Sequence, residues 1–147
     1  MENNTPLAMP FVHGNVRGMS CDLEELSDLR VRIDRVEYAP HLEAPDDRPF
    51  PFVYFITIAN ESAETVTIRG RKWVVTDRIG QKTVVEGDGV VGKFPRLAPG
   101  EHFSYNSYFV IASDSVAEGA YLAVTEDGRP VITRIPAFDV RIPPDGK

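Results

Sequence analysis

Val84-Val85-Glu86-Gly87-Asp88-Gly89-Val90-Val91-Gly92-Lys93-Phe94-Pro95 is the stretch on which the fold turns. Its spacing, Gly87-x-Gly89-x-x-Gly92, is that of a dinucleotide-binding fingerprint, which needs a strand before the glycines and a helix after them so that a helix N-terminus meets the pyrophosphate. The apolar run before Gly87 supplies the strand. The helix is excluded, because Pro95 and Pro99 follow closely and Pro99-Gly100 is a turn dipeptide. Fixed proline dihedrals and missing N–H donors forbid a helical run there. What remains is a glycine-rich loop whose backbone N–H groups suit either a corner of the chain or the cradling of an anion.

Working outward from the loop, the sequence reads as strands. On its N-terminal side, Lys82 to Val85 pairs back through an Ile79-Gly80 hairpin turn onto Trp73-Val74-Val75-Thr76. Gly70 separates that run from Val66 and Ile68, which alternate with Thr65, Thr67 and Arg69. Phe50 to Asn60 is the strongest strand, with Phe52, Tyr54, Ile56 and Ile58 on one face and Val53, Phe55, Thr57 and Ala59 on the other; two apolar faces predict a central position. Asn60-Glu61-Ser62 supplies turn chemistry. Leu29, Val31 and Ile33 alternate with charged residues, and the apolar phase then slips to Val36 and Tyr38, which predicts a bulge near Asp34-Arg35. Ala39 to Arg48 is a polar loop.

On the C-terminal side, the turn Leu97-Ala98-Pro99-Gly100-Glu101 leads into a strand carrying Phe103, Tyr105, Tyr108 and Val110. Asp114 to Glu118 reads as a connection and Gly119 to Thr125 as a strand, turned by Asp127-Gly128 into Pro130 to Ile135. Phe138, Val140 and Ile142 alternate in a last strand. Seven or eight short strands divided by turn signals describe an all-β protein, a two-sheet β-sandwich, with an open barrel as the alternative. The expected core is Val31, Ile33, Phe52, Tyr54, Ile56, Ile58, Trp73, Val75, Phe103, Tyr105, Tyr121 and Phe138.

A chain of 147 residues is expected to form one domain. Residues 1–28 read as a flexible acidic leader in which Asp22 to Leu26 forms at most one helical turn, 29–143 as the sandwich, and 144–147 as a tail. No apolar stretch approaches the roughly 20 residues of a membrane helix, so direct membrane insertion is not expected and the default address is cytoplasmic. The single cysteine, Cys21, has no partner for a disulfide or a thiolate metal site. His13, His41 and His102 follow no ligand spacing.

The net charge of −6 argues against nucleic-acid binding, which needs clustered Lys and Arg. The charge is unevenly spread. Arg69, Arg71, Lys72, Arg78, Lys82, Lys93 and Arg96 surround the glycine loop against only Asp77, Glu86 and Asp88.

Taken together, Arg71-Lys72-Trp73-Val74-Val75-Thr76-Asp77, Val85-Glu86-Gly87-Asp88-Gly89-Val90-Val91-Gly92 with Pro95, Leu97-Ala98-Pro99-Gly100-Glu101 and Ile135-Pro136-Ala137-Phe138 resemble the ApaG family over about Leu29 to Pro143. The resemblance implies an immunoglobulin-like or fibronectin type III-like sandwich and an association with cobalt and magnesium efflux or resistance. Similar domains, fused to F-box and polymerase-associated proteins in eukaryotes, look like interaction modules. It further implies that Gly87, Gly89 and Gly92 are candidate contacts for a pyrophosphate or nucleotide. The chain departs from the family pattern in its long leader and at Asn106-Ser107-Tyr108, where a tyrosine replaces the usual glycine of what reads as a loop.

Three function classes follow. The first is a non-catalytic binding module that meets a protein partner through strand edges or loops. The second is a small-anion binder in which Gly87, Gly89 and Gly92 offer N–H groups while Lys93, Arg96, Arg71 and Lys72 neutralise a pyrophosphate-like ligand. The third is direct metal handling, with Asp88 and Glu86 as hard ligands for a divalent cation such as Mg²⁺, helped by Asp46 and Asp47. Catalysis is not expected, since the chain carries no Ser/His/Asp order, metal-ligand cluster or phosphate loop ending in GK[ST]. The accessory binding role, linked to divalent-cation homeostasis and requiring no cofactor, is the leading expectation.

Overall fold

The structure, a computed structural model, describes residues 23–144. The strands are β1 (Glu24–Glu25), β2 (Leu29–Tyr38), β3 (Phe50–Asn60), β4 (Val66–Asp77), β5 (Lys82–Asp88), β6 (Arg96–Leu97), β7 (His102–Ile111), β8 (Ser115–Thr125) and β9 (Pro130–Val140). They form two sheets. One runs β1-β9-β8-β4-β5 with β6 also paired to β4, and the other runs β2-β3-β7. The inner faces meet in one apolar core, to which Ile56 and Ile58 of β3, Val66, Ile68 and Trp73 of β4, and Tyr121 of β8 contribute fully buried or nearly buried side chains. The expected core residues all belong to this cluster or pack against it.

Three bulges keep the apolar residues on the correct face. In β2 the register shifts between Ile33 and Arg35, where the slip of apolar phase predicts it. In β4 it shifts between Ile68 and Gly70. Without that extra residue the period of two would carry Lys72 inward and Trp73 outward; with it, Trp73 and Val75 continue the face begun by Val66 and Ile68. Gly70 therefore does not end a strand, as the sequence suggests, but permits one strand to change phase. The third lies in β9, where Pro136 and Ala137 together face Glu118 of β8, between the pairs Ala117–Phe138 and Gly119–Ile135. It joins the two C-terminal strands expected from the sequence into one.

Other expectations are corrected. Ser115 to Glu118 is strand rather than connection, because it pairs with Val74 to Asp77. Ile142 lies beyond β9, its N–H held by Asp114 Oδ1 at 2.8 Å. Asn106-Ser107-Tyr108 lies within β7, not in a loop, paired with Val53 to Phe55. Within the expected turn from Asp22 to Leu26, the described part, Leu23 to Leu26, is not helical: Glu24 and Glu25 pair in parallel with Val131 and Ile132, and Leu26 N–H donates to Ile132 O at 3.0 Å. The edge of β9 offers that segment a full set of partners, which a single isolated helical turn lacks. Cys21, His13 and the remainder of residues 1–22 lie outside the described residues.

On the outer face of the three-stranded sheet, Thr57 Oγ1 donates to Asp34 Oδ2 at 2.6 Å and Arg32 Nε reaches Asp34 Oδ1 at 2.6 Å. The Thr57 hydroxyl, followed by Arg32, holds the Asp34 carboxyl below the usual carboxylate range. A lowered folded-state pKa stabilises above the unfolded value of about 4 and is lost as pH falls through the folded value. Asp34→Asn is accordingly expected to be less stable than the parent at pH 7. Denaturant melts should show the two curves converging as the pH is taken below 4; a constant gap from pH 7 to pH 2 would contradict the assignment.

Candidate functional site

The glycine loop is a tight structure built from its own backbone. Gly89 N–H donates to Arg69 O at 2.8 Å, Val90 N–H to Lys93 O at 2.8 Å, and Lys93 N–H to Val90 O at 2.9 Å. Val90 to Lys93 is thus a two-residue hairpin, and its central residues Val91 (φ 44°) and Gly92 (φ 80°) both have positive φ. That is the backbone demanded by the hairpin turns whose twist matches the strands they join. The buried side chain of Val90 anchors it to the core. Gly89 is needed twice over: its φ is 62°, and a Cβ there would stand 2.4 Å from Lys93 O.

Val91 is half exposed and β-branched, so its left-handed backbone is strained with no burial to offset it. Asparagine tolerates this conformation. Val91→Asn is expected to raise stability by about 1 kcal/mol, seen as a higher melting temperature. A lower one would mean that Val91 makes contacts worth more than the strain.

Arg71 sets the polarity of the loop. Its Nη1 donates to Asp88 O at 3.0 Å and to Gly89 O at 3.1 Å, and its guanidinium lies where a Cβ on Gly87 would be, 2.8 Å away. The loop therefore turns carbonyl oxygens toward this cation, while the N–H groups of Gly89, Val90 and Lys93 are spent on the chain's own carbonyls.

The nine residues expected at the site fall into separate places. Arg71 joins Gly87 and Gly89. Lys93 and Arg96 line a shallow groove of about 680 Å³ with Phe94, Glu101 and His102, and Arg96 Nε also meets Glu126 Oε2 at 3.2 Å. Gly92 sits at the tip of the hairpin. Lys72 is on the opposite face of β4 from Arg71, buried, with Nζ 3.6 Å from Glu86 Oε2. Asp88 follows Glu86 along that face of β5 and is exposed. Among the described residues no three His, Cys, Asp or Glu side chains converge as metal ligands would. No helix among them is long and apolar enough to cross a membrane.

Among the described residues, the strand that feeds the loop ends its sheet and exposes apolar side chains. β5 ends the order β1-β9-β8-β4-β5, and Val84 (52%), Val85 (42%) and the adjoining hairpin residue Ile79 (82%) are exposed. Exposed edges are ordinarily blunted by charge. β2, an edge of the other sheet, follows that rule with Arg30, Arg32, Asp34, Arg35 and Glu37, several of them ion-paired. β5 carries Lys82 and Asp88 at its two ends but exposes Val84 and Val85 between them. The alternation Lys82-Thr83-Val84-Val85-Glu86 carries no sign that it is an edge, so its sequence alone does not reveal this surface.

Comparison with known proteins gives a consistent picture. The family model described as the ApaG domain matches residues 40–125. Protein ApaG of Rhodospirillum centenum is 40% identical over 121 residues, covering 82% of this chain and 92% of the relative. Protein ApaG of Vibrio cholerae is 36% identical over 110 residues, covering 74% and 87%. Among solved structures, the crystal structure of an ApaA protein from Bordetella pertussis superposes with a TM-score of 0.71 at 31% identity, over 83% of this chain and 98% of that one. The structural-genomics target SoR45 superposes with a TM-score of 0.72 at 30% identity, over 80% and 89%. None of these names states a reaction.

Proposed function

Because the chain belongs to the ApaG family, we propose that it is a non-catalytic accessory binding protein linked to Co²⁺ and Mg²⁺ homeostasis, acting through protein contacts at the β5 edge. The observation that carries the contact surface is the exposure of Val84 and Val85 on β5, which ends its sheet among the described residues, with exposed Ile79 in the adjoining hairpin. A partner strand laid against β5 gains main-chain hydrogen bonds, and the alternating side chains supply its specificity. The family resemblance supports the link to divalent cations. A chain of this kind acts on a transporter or its regulation rather than as the path itself.

The test replaces Val84 by a photo-crosslinking amino acid in the native host, with the same replacement at Arg30 of β2 as the control. Covalent adducts are expected from position 84 and not from position 30. In the same host, deletion of the gene should alter cobalt tolerance, and the parent but not Val84→Asp should restore it. Equal rescue by both would dismiss the β5 edge; unchanged tolerance on deletion would dismiss the cation link.

A second reading rests on Lys93, Arg96 and His102, which line one groove beside the hairpin together with Glu101 and offer N–H donors to a small anion such as pyrophosphate. Calorimetry with pyrophosphate, with and without Mg²⁺, should then give heat that Arg96→Ala abolishes. Absence of heat at millimolar ligand ends this reading without touching the first.

A further inference from the structure

We propose that the lateral cleft between β5 and β7, away from the outward edge of β5, binds a small aromatic carboxylate. Its ring would sit against Trp73, Tyr54 and Phe109, with its carboxylate toward Arg71 and Arg48. The inference stands apart from the functional reading above.

The cleft follows from sheet geometry. Direct cross-strand partners share a face, so Thr83 and Val85 of β5, opposite Val75 and Trp73, point to the inner side. Val85 nevertheless stays 42% exposed, because the sandwich is open there. The opening encloses about 660 Å³, lined on the other side by Ser107 and Phe109 of β7. This lies within the range of roughly 300–1,000 Å³ typical of small-molecule sites. The 39–49 loop closes part of the mouth, bringing Arg48 and Glu43 to the rim, where the Tyr108 hydroxyl donates to Glu43 O at 3.3 Å.

The lining specifies the ligand. Tyr54, Trp73 and Phe109 form a contiguous aromatic wall, with ring centroids 4.8 Å (Tyr54–Trp73), 5.6 Å (Tyr54–Phe109) and 6.2 Å (Trp73–Phe109) apart. Such a wall favours a flat ring. Two guanidinium groups face one rim carboxylate, Glu43, so the lining carries a net positive charge. Guanidinium groups match the planar geometry of a carboxylate. Trp73 Nε1 is buried beside the Tyr54 hydroxyl and leaves the ring, rather than its N–H, to the cleft. Arg71 is already aimed by the loop carbonyls, so its orientation does not have to be fixed on binding.

The experiment uses the full chain and 2-naphthoate, with 2-naphthylmethanol and cyclohexanecarboxylate as probes lacking the charge or the ring. Trp73 is the single tryptophan, so its indole ¹H–¹⁵N signal is a unique probe at the wall of the cleft. 2-Naphthoate is expected to shift that signal and to bind about tenfold tighter than either control, the equivalent of ~1.4 kcal/mol. Arg48→Ala, an exposed rim position whose loss should leave the melting temperature unchanged, should weaken binding about fivefold. Equal affinity for 2-naphthoate and 2-naphthylmethanol would overturn the proposal. So would an unmoved indole signal at 10 mM probe, about a hundredfold above the affinity expected of a fragment-sized ligand, or unchanged affinity in Arg48→Ala.

Discussion

Gly119→Ala should be the most damaging one-methyl change in the protein, lowering stability by about 3 kcal/mol or more and the melting temperature by roughly 10 °C. Gly119 lies in β8, flanked by β4 and β9, at the residue where the β8–β9 register shifts. A Cβ built there stands 2.0 Å from Lys72 O, 3.1 Å from Lys72 C and 3.2 Å from Ile135 Cδ1. The first two atoms are backbone of a strand paired along most of its length, so neither can move without breaking the ladder. The absence of a side chain at this point lets β4 and β8 approach while the bulge is accommodated. Glu118→Ala, an exposed neighbour, should change stability by less than about 0.5 kcal/mol. That comparison separates crowding from strand propensity. Equal melting of Gly119→Ala and the parent would mean that the close approach is not maintained in solution.

Asn60→Asp should come second, and its cost should depend on pH. Asn60 is fully buried at the end of β3. Its Nδ2 donates to Glu64 O at 2.7 Å and Leu97 O at 2.9 Å, while its Oδ1 accepts from Ser62 N at 3.0 Å and Ser62 Oγ at 2.7 Å. One amide thus ties the turn after β3 to β6, and through β6 to β4 and the glycine loop. The substitution keeps the shape and the accepting oxygen but sets a second oxygen against two carbonyls. At neutral pH the charged form is buried beside like dipoles, at a cost of roughly 3–5 kcal/mol. Burial raises the folded-state pKa of the introduced carboxyl above its unfolded value, so the charged form is disfavoured at high pH. The penalty should shrink as pH falls toward 4, where a protonated carboxyl donates to one of the carbonyls. Urea melts of the variant and the parent at pH 7.5 and pH 4.5 measure this directly; a larger difference at the lower pH would refute the buried-amide account.

Much of the fold was legible because strand alternation is a local property. Phe50 to Asn60 shows its period of two over eleven residues, and β3 has those boundaries. The bulge at Asp34-Arg35 was readable as a slip in the apolar phase, since a half-buried strand cannot hide a misplaced Ile or Val. The bulges in β4 and β9 were not. Gly70 stands at the first and Gly119 lies across from the second, but a glycine signals a turn, a bulge or a close approach equally well. β1 was illegible for a different reason: two glutamates carry no strand pattern, and only the free side of β9 makes them one.

For the candidate site the division is sharper. The glycine spacing with Pro95 and Pro99 was sufficient to rule out a helix after the loop, and the structure places a hairpin there. The same spacing suggested N–H groups turned toward an anion, whereas Arg71 draws the loop's carbonyls inward. That reversal depends on the β4 bulge, which sets Arg71 on one face and Lys72, its neighbour in sequence, on the other. The charged residues around the loop could be counted from the chain, but not sorted by face. Arg48, Tyr108 and Trp73 approach one cleft from three distant segments, and no spacing rule links them.

By itself the sequence determined the all-strand architecture, the central place of β3 and the non-helical loop, because alternation, proline and turn chemistry act over a few residues. Tertiary structure alone decided that β5 ends its sheet among the described residues with Val84 and Val85 exposed, which way Arg71 and Lys72 point, and that a cleft opens beside Trp73. Those follow from register and sheet order, which are set by pairings between residues far apart in the chain.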